Sequence, residues 1–339
     1  MINLKNDYCG IAHPKVLNKY IELQNETFEV YGLDNVSDKA KELIKKDLKC
    51  DNCDIHFVVG GTITNKTVIA HTLKPYEAVI SADTGHINVH ETGAIEETGH
   101  KVITVKNVDG KVTPLAVEKA CLEHTDEHMV KPKMLYISDT TEMGTVYTLD
   151  ELKALKEVCE KYNLYFYLDG ARLSSALSAS DVLISDLPNL VDVFYIGGAK
   201  NGLMLGEAIV IMNDKIKEDF RFAIKHFGAM YSKGFVAGIN FLAAFEDGLY
   251  YQIGKEENLL AKDLYNKLLN IGIEFETPQV SNQIFPIFKT EQIEKLSQEI
   301  MFEIWKSASD KTTIRFVTSY MTKQSDIDAA LEVIKRIVE

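Results

Sequence analysis

Two apolar runs about thirty residues apart constrain this chain more than any other feature of it. Leu164-Tyr-Phe-Tyr-Leu168 leads into Asp169-Gly170-Ala171-Arg172, and Val191-Asp-Val-Phe-Tyr-Ile196 leads into Gly197-Gly198-Ala199-Lys200-Asn201-Gly202. Both have the length and the aromatic, β-branched bias of buried strands. Each stops at a turn of small residues that carries a charged side chain. Similar runs at 55–59, 77–81, 101–105, 133–137 and 207–212 alternate with helical patterns at 38–48, 63–71, 89–98, 113–125 and 149–162. Such alternation predicts an α/β fold with a mostly parallel central sheet covered on both faces. Ligands in an open sheet of this kind sit outside the carboxyl ends of the strands. Asp169 and Lys200 are therefore expected at neighbouring strand ends, facing one crevice.

The rest of the chain divides around that sheet. Residues 1–13 are polar, broken by Gly10, and read as an N-terminal arm. Residues 14–248 form the large domain, opening with a helix over 14–24. After residue 214 helices dominate, at 215–226, 235–246 and 249–270. The last quarter alternates in short units: strand 283–288, helix 291–303, strand 312–318 and helix 326–338. That pattern predicts a smaller C-terminal α/β domain over 249–339.

Composition removes several function classes. Fifty acidic residues against 37 basic ones leave a formal charge of −13, which argues against nucleic acid or an anionic membrane as partner. No run of about eighteen apolar residues suggests a membrane span, and Met1-Ile-Asn-Leu-Lys-Asn-Asp7 has no basic region leading into an apolar one. Five cysteines, an odd number, fit a reducing cytoplasm. Cys50 and Cys53 form one Cys-x-x-Cys, half of a structural zinc site, so no metal is expected.

The crevice residues suggest a chemistry. A lysine that forms a Schiff base and an aspartate that pairs with a pyridinium nitrogen are what a pyridoxal phosphate enzyme needs. Gly60-Gly61-Thr62 follows a strand and opens a helix, an arrangement that turns backbone N–H groups toward a phosphate. Each feature is ordinary taken singly, since loop lysines, turn aspartates and strand-to-helix glycines are common. No Gly-x-Gly-x-x-Gly, Gly-x-x-x-x-Gly-Lys-Ser/Thr, Gly-x-Ser-x-Gly or His-Glu-x-x-His competes with the reading.

Taken together, the motifs resemble those of the threonine aldolase group of pyridoxal phosphate enzymes, also called β-eliminating lyases. The stretches that carry the likeness are Tyr31-Gly-Leu-Asp34, Gly60-Gly-Thr-Ile-Thr-Asn65, Gly85-His-Ile-Asn-Val-His-Glu-Thr-Gly93, Asp169-Gly-Ala-Arg172, Gly198-Ala-Lys-Asn-Gly-Leu-Met-Leu-Gly-Glu207 and Ile314-Arg-Phe-Val-Thr318. They occur in family order across nearly the whole chain.

This resemblance implies an aspartate aminotransferase-like fold, pyridoxal 5′-phosphate as cofactor and a role for each matched residue. Lys200 holds the cofactor and Asp169 bonds its ring nitrogen. Gly61 and Thr62 take the phosphate, and His86 stacks on the ring. Arg172 and Arg315 hold the substrate carboxylate, Arg172 also lying near the ring oxygen. Asn6 lies close to the substrate. Tyr31 reaches the site of a partner subunit, because these enzymes form homodimers or homotetramers with sites at the dimer interface. His90 and Glu91 are expected to be supporting residues, and Lys225 or Lys233 to assist the phosphate. Thr141 stands where many relatives carry a histidine facing the substrate's β-substituent, and the lysine loop reads Ala-Lys-Asn-Gly where Ser-Lys-Gly is more usual. The expected reaction is retro-aldol cleavage of a β-hydroxy-α-amino acid, L-threonine or L-allo-threonine giving glycine and acetaldehyde. His86 or a bound water is the expected base for the β-hydroxyl, since threonine is a poor one. The alternatives are β-elimination from a cysteine-type amino acid and, in another class, a non-catalytic α/β small-molecule-binding protein.

Overall fold

A computed structural model describes residues 1–338. Seven strands form the main sheet, in the order Asp54–Val58, Glu207–Ile211, Val193–Gly197, Tyr165–Asp169, Lys131–Ser138, Glu77–Ala82 and Val102–Val105. Only Glu207–Ile211 runs against its neighbours; the pairings from Val193–Gly197 outward to Val102–Val105 are parallel. Successive side chains explain why these strands read as continuous apolar runs. Phe166, Leu168, Phe194 and Ile196 face one packed core, while Tyr167, Val193, Tyr195 and Ile209 face the other. A parallel sheet buried on both sides has no wet face on which to place polar residues.

The polarity of the strands gathers the site. Asp54–Val58, Lys131–Ser138, Tyr165–Asp169 and Val193–Gly197 all end at one rim, and the reversed strand begins there. Register makes this explicit: Val58 and Gly197 both pair with Glu207, and Ser138 pairs with Asp169.

A second, antiparallel sheet is built around Lys311–Val317, which pairs with Gln283–Ile284, Pro286–Lys289 and Glu303–Ser307. Its core includes Ile284, Phe288, Ile314, Phe316 and Ile327. The long helix Leu249–Asn270 joins the two halves: Leu249 and Ile253 pack in the first core, and Leu264 and Leu268 in the C-terminal one. The N-terminal residues are tied to this second half. Ile2 and Asn3 pair with Ile300 and Met301, and Leu4 is wholly buried in the C-terminal core.

Four expected elements differ. The helix expected over 89–98 is replaced by a short helix His86–Val89 and a turn of 3-10 helix Glu96–Thr98. Thr92 and Gly93 both have positive φ there, which no helix accommodates, and Glu91 is turned inward to meet His86 and Asn65. The helix expected over 291–303 stops at Ser297, and Glu303–Ser307 is a strand instead. The helix expected over 215–226 is two, Asp214–Lys217 and Phe220–His226, with Asp219 at φ 55° between them. The strand expected over 283–288 is split at Phe285.

Candidate active site

At the rim lies a cavity of about 390 Å³ whose wall includes Tyr8, Gly60, Gly61, Thr62, His86, Asp169, Arg172 and Lys200. Asp169 closes its strand with both carboxylate oxygens accepting hydrogen bonds. Oδ2 accepts from Tyr136 Oη at 2.6 Å and from Asn65 Nδ2 at 3.1 Å, and Oδ1 accepts from the Ala171 amide at 3.0 Å. Asn65 is itself held: its Oδ1 accepts from Tyr167 Oη at 2.6 Å, and its Nδ2 also donates to Glu91 Oε1 at 2.6 Å. These bonds fix the orientation of a buried carboxylate that still faces the cavity, although Glu91 Oε2 in the same network is buried without a partner.

Lys200 lies three residues beyond the next strand, with its ammonium 5.9 Å from the centre of the Tyr8 ring. Burial and the nearby Arg172 guanidinium together push its pKa below the ordinary lysine range, against the pull of Asp7, Glu142 and Asp169. Glu207, whose Oε2 accepts from the Gly198 amide at 2.6 Å, braces the turn that precedes Lys200. Burial raises its pKa to about 8.

His86 sits opposite, with Nδ1 2.8 Å from Glu91 Oε1. Burial works to lower its pKa, but the Glu91 hydrogen bond and the carboxylates of Glu142 and Asp169 outweigh this, and the net direction is upward. Gly61 opens the helix Gly61–Thr72, and no side chain caps it. The first-turn N–H groups are therefore available to an anion. A Cβ at Gly61 would come within 3.3 Å of the Tyr195 hydroxyl, whereas one at Gly60 would meet nothing within 4 Å.

The two arginines differ from expectation. Arg172 is buried and already holds Asp7, through Nε to Oδ2 at 2.7 Å and Nη2 to Oδ1 at 3.1 Å. Arg315 has one long contact, Nη1 to Gln283 Oε1 at 3.4 Å, and its Nε is buried without a partner. Its guanidinium lies 5.6 Å from the Trp305 ring. The free fork is thus on Arg315 more than on Arg172.

Four expected residues lie off the cavity wall: Arg315, Thr141, Asn6 and Tyr31. Thr141 is turned into its own loop, where its Oγ1 lies 2.7 Å from Thr145 Oγ1 and accepts from the Met143 and Thr145 amides. Its neighbours Thr140 and Glu142 face the cavity in its place. Asn6 accepts from the Tyr8 amide at 3.2 Å, a local turn, and Tyr8 supplies the wall. Tyr31 lines a different recess with Leu33, Arg221, Phe222, Lys225 and Met230. Neither Lys225 nor Lys233 lines the cavity. Glu142, Tyr8, Tyr195 and Thr140 were missed from sequence. Nothing in their local pattern sets them apart, although the strand-end rule could have flagged Thr140 and Glu142 just beyond Ser138.

Residues 13–291 match the family described as beta-eliminating lyase. The chain belongs to that family. Within its wider kinship, the chain is 32% identical to a low specificity L-threonine aldolase of Pseudomonas sp. over 83% of its own length and 82% of the relative's. It is 40% identical to a Leishmania major threonine aldolase of known structure, each covering 100% of the other, with a TM-score of 0.98. A Thermus thermophilus aspartate aminotransferase, 15% identical and covering 99% and 91% of the two chains, superposes with a TM-score of 0.71 and shows the shared aspartate aminotransferase-like fold. The expected family and fold class are therefore correct.

Proposed function

We propose that this chain is a pyridoxal 5′-phosphate-dependent threonine aldolase that cleaves L-threonine or L-allo-threonine to glycine and acetaldehyde. The observation that carries the reading is one cavity joining Lys200 and Asp169 to the uncapped helix start at Gly61. The kinship with two threonine aldolases points the same way.

The residues present fit the cofactor. The space at Gly60, where a Cβ would meet nothing within 4 Å, and the uncapped helix start at Gly61 suit a phosphate, and the unpartnered Nε of Arg315 suits a carboxylate. Bound there, pyridoxal phosphate supplies a protonated conjugated ring that draws electrons from a bond at the substrate's Cα. Lys200 would hold it covalently, and the depressed pKa of its amine favours the neutral nucleophile. Asp169 would pair with the ring nitrogen, its orientation fixed by Tyr136 and Asn65. The Gly61 and Thr62 amides, with the Thr62 hydroxyl, would take the phosphate. His86, fixed by Glu91, would lie against the ring. Arg315 would take the substrate carboxylate, and Arg172, anchored on Asp7, would add positive charge beside it. Holding the carboxylate at a fixed place orients the Cα–Cβ bond relative to the ring, which is where the positional part of the rate enhancement arises.

A homo-oligomer is part of the proposal. Support comes from the recess at Tyr31, about 420 Å³ and rimmed by Leu33 and Phe222, the latter 76% exposed. An apolar, cation-flanked surface of this sort is suited to a second copy that brings Tyr31 to its neighbour's cavity.

Borohydride reduction of the cofactor-loaded protein, followed by peptide mapping, tests the lysine assignment. The reduced adduct is expected on the peptide containing Lys200 and absent from Lys200→Ala. An adduct on another lysine would remove the basis for the site.

A further inference from the structure

The cavity wall carries three carboxylates, and two of them are committed. Asp169 accepts three hydrogen bonds, and Glu207 accepts from the Gly198 amide at 2.6 Å. Glu142 differs. It is 9% exposed and lines the cavity, yet among the described residues it makes no hydrogen bond and no ion pair within 4.0 Å. Its oxygens are not among the buried atoms that lack a partner, so they open onto the cavity itself. A carboxylate this far from bulk water is normally paired. Instead it shares the cavity wall with His86, His90, Arg172 and Lys200, and these and the nearby Arg315 all feel its charge.

His86, Ser138 and Thr140 on this wall, and Thr141 beside it, are poor acceptors for a hydroxyl proton, which leaves His90, turned toward the Trp305 ring at 6.3 Å, as the other candidate beside Glu142. Thr141, beside the wall, is folded back on Thr145. His86 has Nδ1 on Glu91 and is pushed toward its protonated form. Ser138 and Thr140 offer only hydroxyls.

We propose that Glu142 is the general base that removes the β-hydroxyl proton of the substrate. The assignment rests on the aldolase reading above. In the step, the O–H bond breaks and its proton passes to a carboxylate oxygen of Glu142. The oxygen's electron pair forms the C=O bond of the departing aldehyde. The Cα–Cβ bond breaks with its pair left at Cα, where the cofactor, when bound, would supply the electron withdrawal, and a proton from solvent added at Cα completes glycine. The carboxylate has no partner to release before it can take the proton, and the cavity would return that proton to solvent once the aldehyde has left.

The test uses the cofactor-loaded enzyme and two reactions. Aldehyde release from threonine needs a base for the hydroxyl. Exchange of a glycine α-proton with deuterium, followed by NMR, needs the cofactor, Lys200 and the carboxylate site but involves no hydroxyl. For Glu142→Gln, kcat for aldehyde release is expected to fall about 100-fold or more. Glycine exchange, the threonine KM and the visible absorbance of the bound cofactor are expected to stay within about threefold of wild type. Glu142→Asp, which keeps the carboxylate, should recover part of the cleavage rate. A parallel fall in cleavage and exchange would assign Glu142 a structural role and overturn the proposal. So would a raised KM with unchanged kcat, or unchanged cleavage. Wild-type exchange of glycine with no cleavage of any β-hydroxy amino acid would instead sink the aldolase reading itself, and the role of Glu142 with it.

Discussion

Asp7 shows how a residue far from the chemistry in sequence decides what a site residue can do. Its carboxylate is buried and holds Arg172 by two bonds, with Asn282 Nδ2 adding a third at 3.0 Å. Burial pushes the Asp7 pKa up, but Arg172 outweighs it and the net direction is below 3.8. A depressed carboxylate pKa contributes stability that is present above the unfolded value and lost as pH falls through the folded one. Asp7→Ala leaves the Arg172 guanidinium buried and unpaired, and breaking such a pair costs about 3–5 kcal/mol. In urea unfolding, the gap between wild type and variant should hold steady from neutral pH down to 3.8 and narrow only below it. A gap that instead closed around neutrality would show that another group dominates. This pair was not legible in sequence, because 165 residues separate the partners and the local context reads as a polar arm.

At the scale of elements, the buried strands and the turns behind them were legible, because a sheet covered on both faces demands continuous apolar runs. The failures have separate causes. At 89–98 helical periodicity was overridden by inward bonding of Glu91 and the positive φ of Thr92 and Gly93. At Glu303–Ser307 a half-exposed strand carries too few apolar residues to stand out from the preceding helix. The long helix Leu249–Asn270 offers a quantitative check. A Cβ on Gly254 would collide with the backbone of Ser174 in the helix Leu173–Ala179. Alanine is a better helix former than glycine by about 1 kcal/mol, but overpacking a close backbone contact costs about 1–3 kcal/mol. Sterics should win, so Gly254→Ala is expected to lower the urea midpoint. A raised midpoint would mean that the two helices separate at little cost.

For the whole molecule, one rim collects residues spread from Tyr8 to Glu207, with Arg315 close enough to feel the charges of Arg172 and Glu142. The Asp169 and Lys200 half of that rim was readable because strand order and polarity follow from β/α alternation. The substrate-facing half was not, because which of Thr140, Thr141 and Glu142 turns inward depends on a loop conformation. The exposed Phe222 and Leu33, 76% and 60% accessible, carry the oligomer proposal. Phe222→Glu places a charge in that apolar recess, and a hot-spot loss of about 2 kcal/mol or more corresponds to about thirtyfold weaker association. Sedimentation should then show a lighter species at dilute concentrations where wild type is a dimer or larger. An unchanged mass would move the interface elsewhere.

The most direct measurement is the product balance of the cofactor-loaded protein on L-threonine and L-allo-threonine. The account predicts glycine and acetaldehyde in equal amounts from at least one of them, and none from Lys200→Ala. Pyruvate or 2-oxobutyrate with ammonia, or no turnover of any β-hydroxy amino acid, would contradict it.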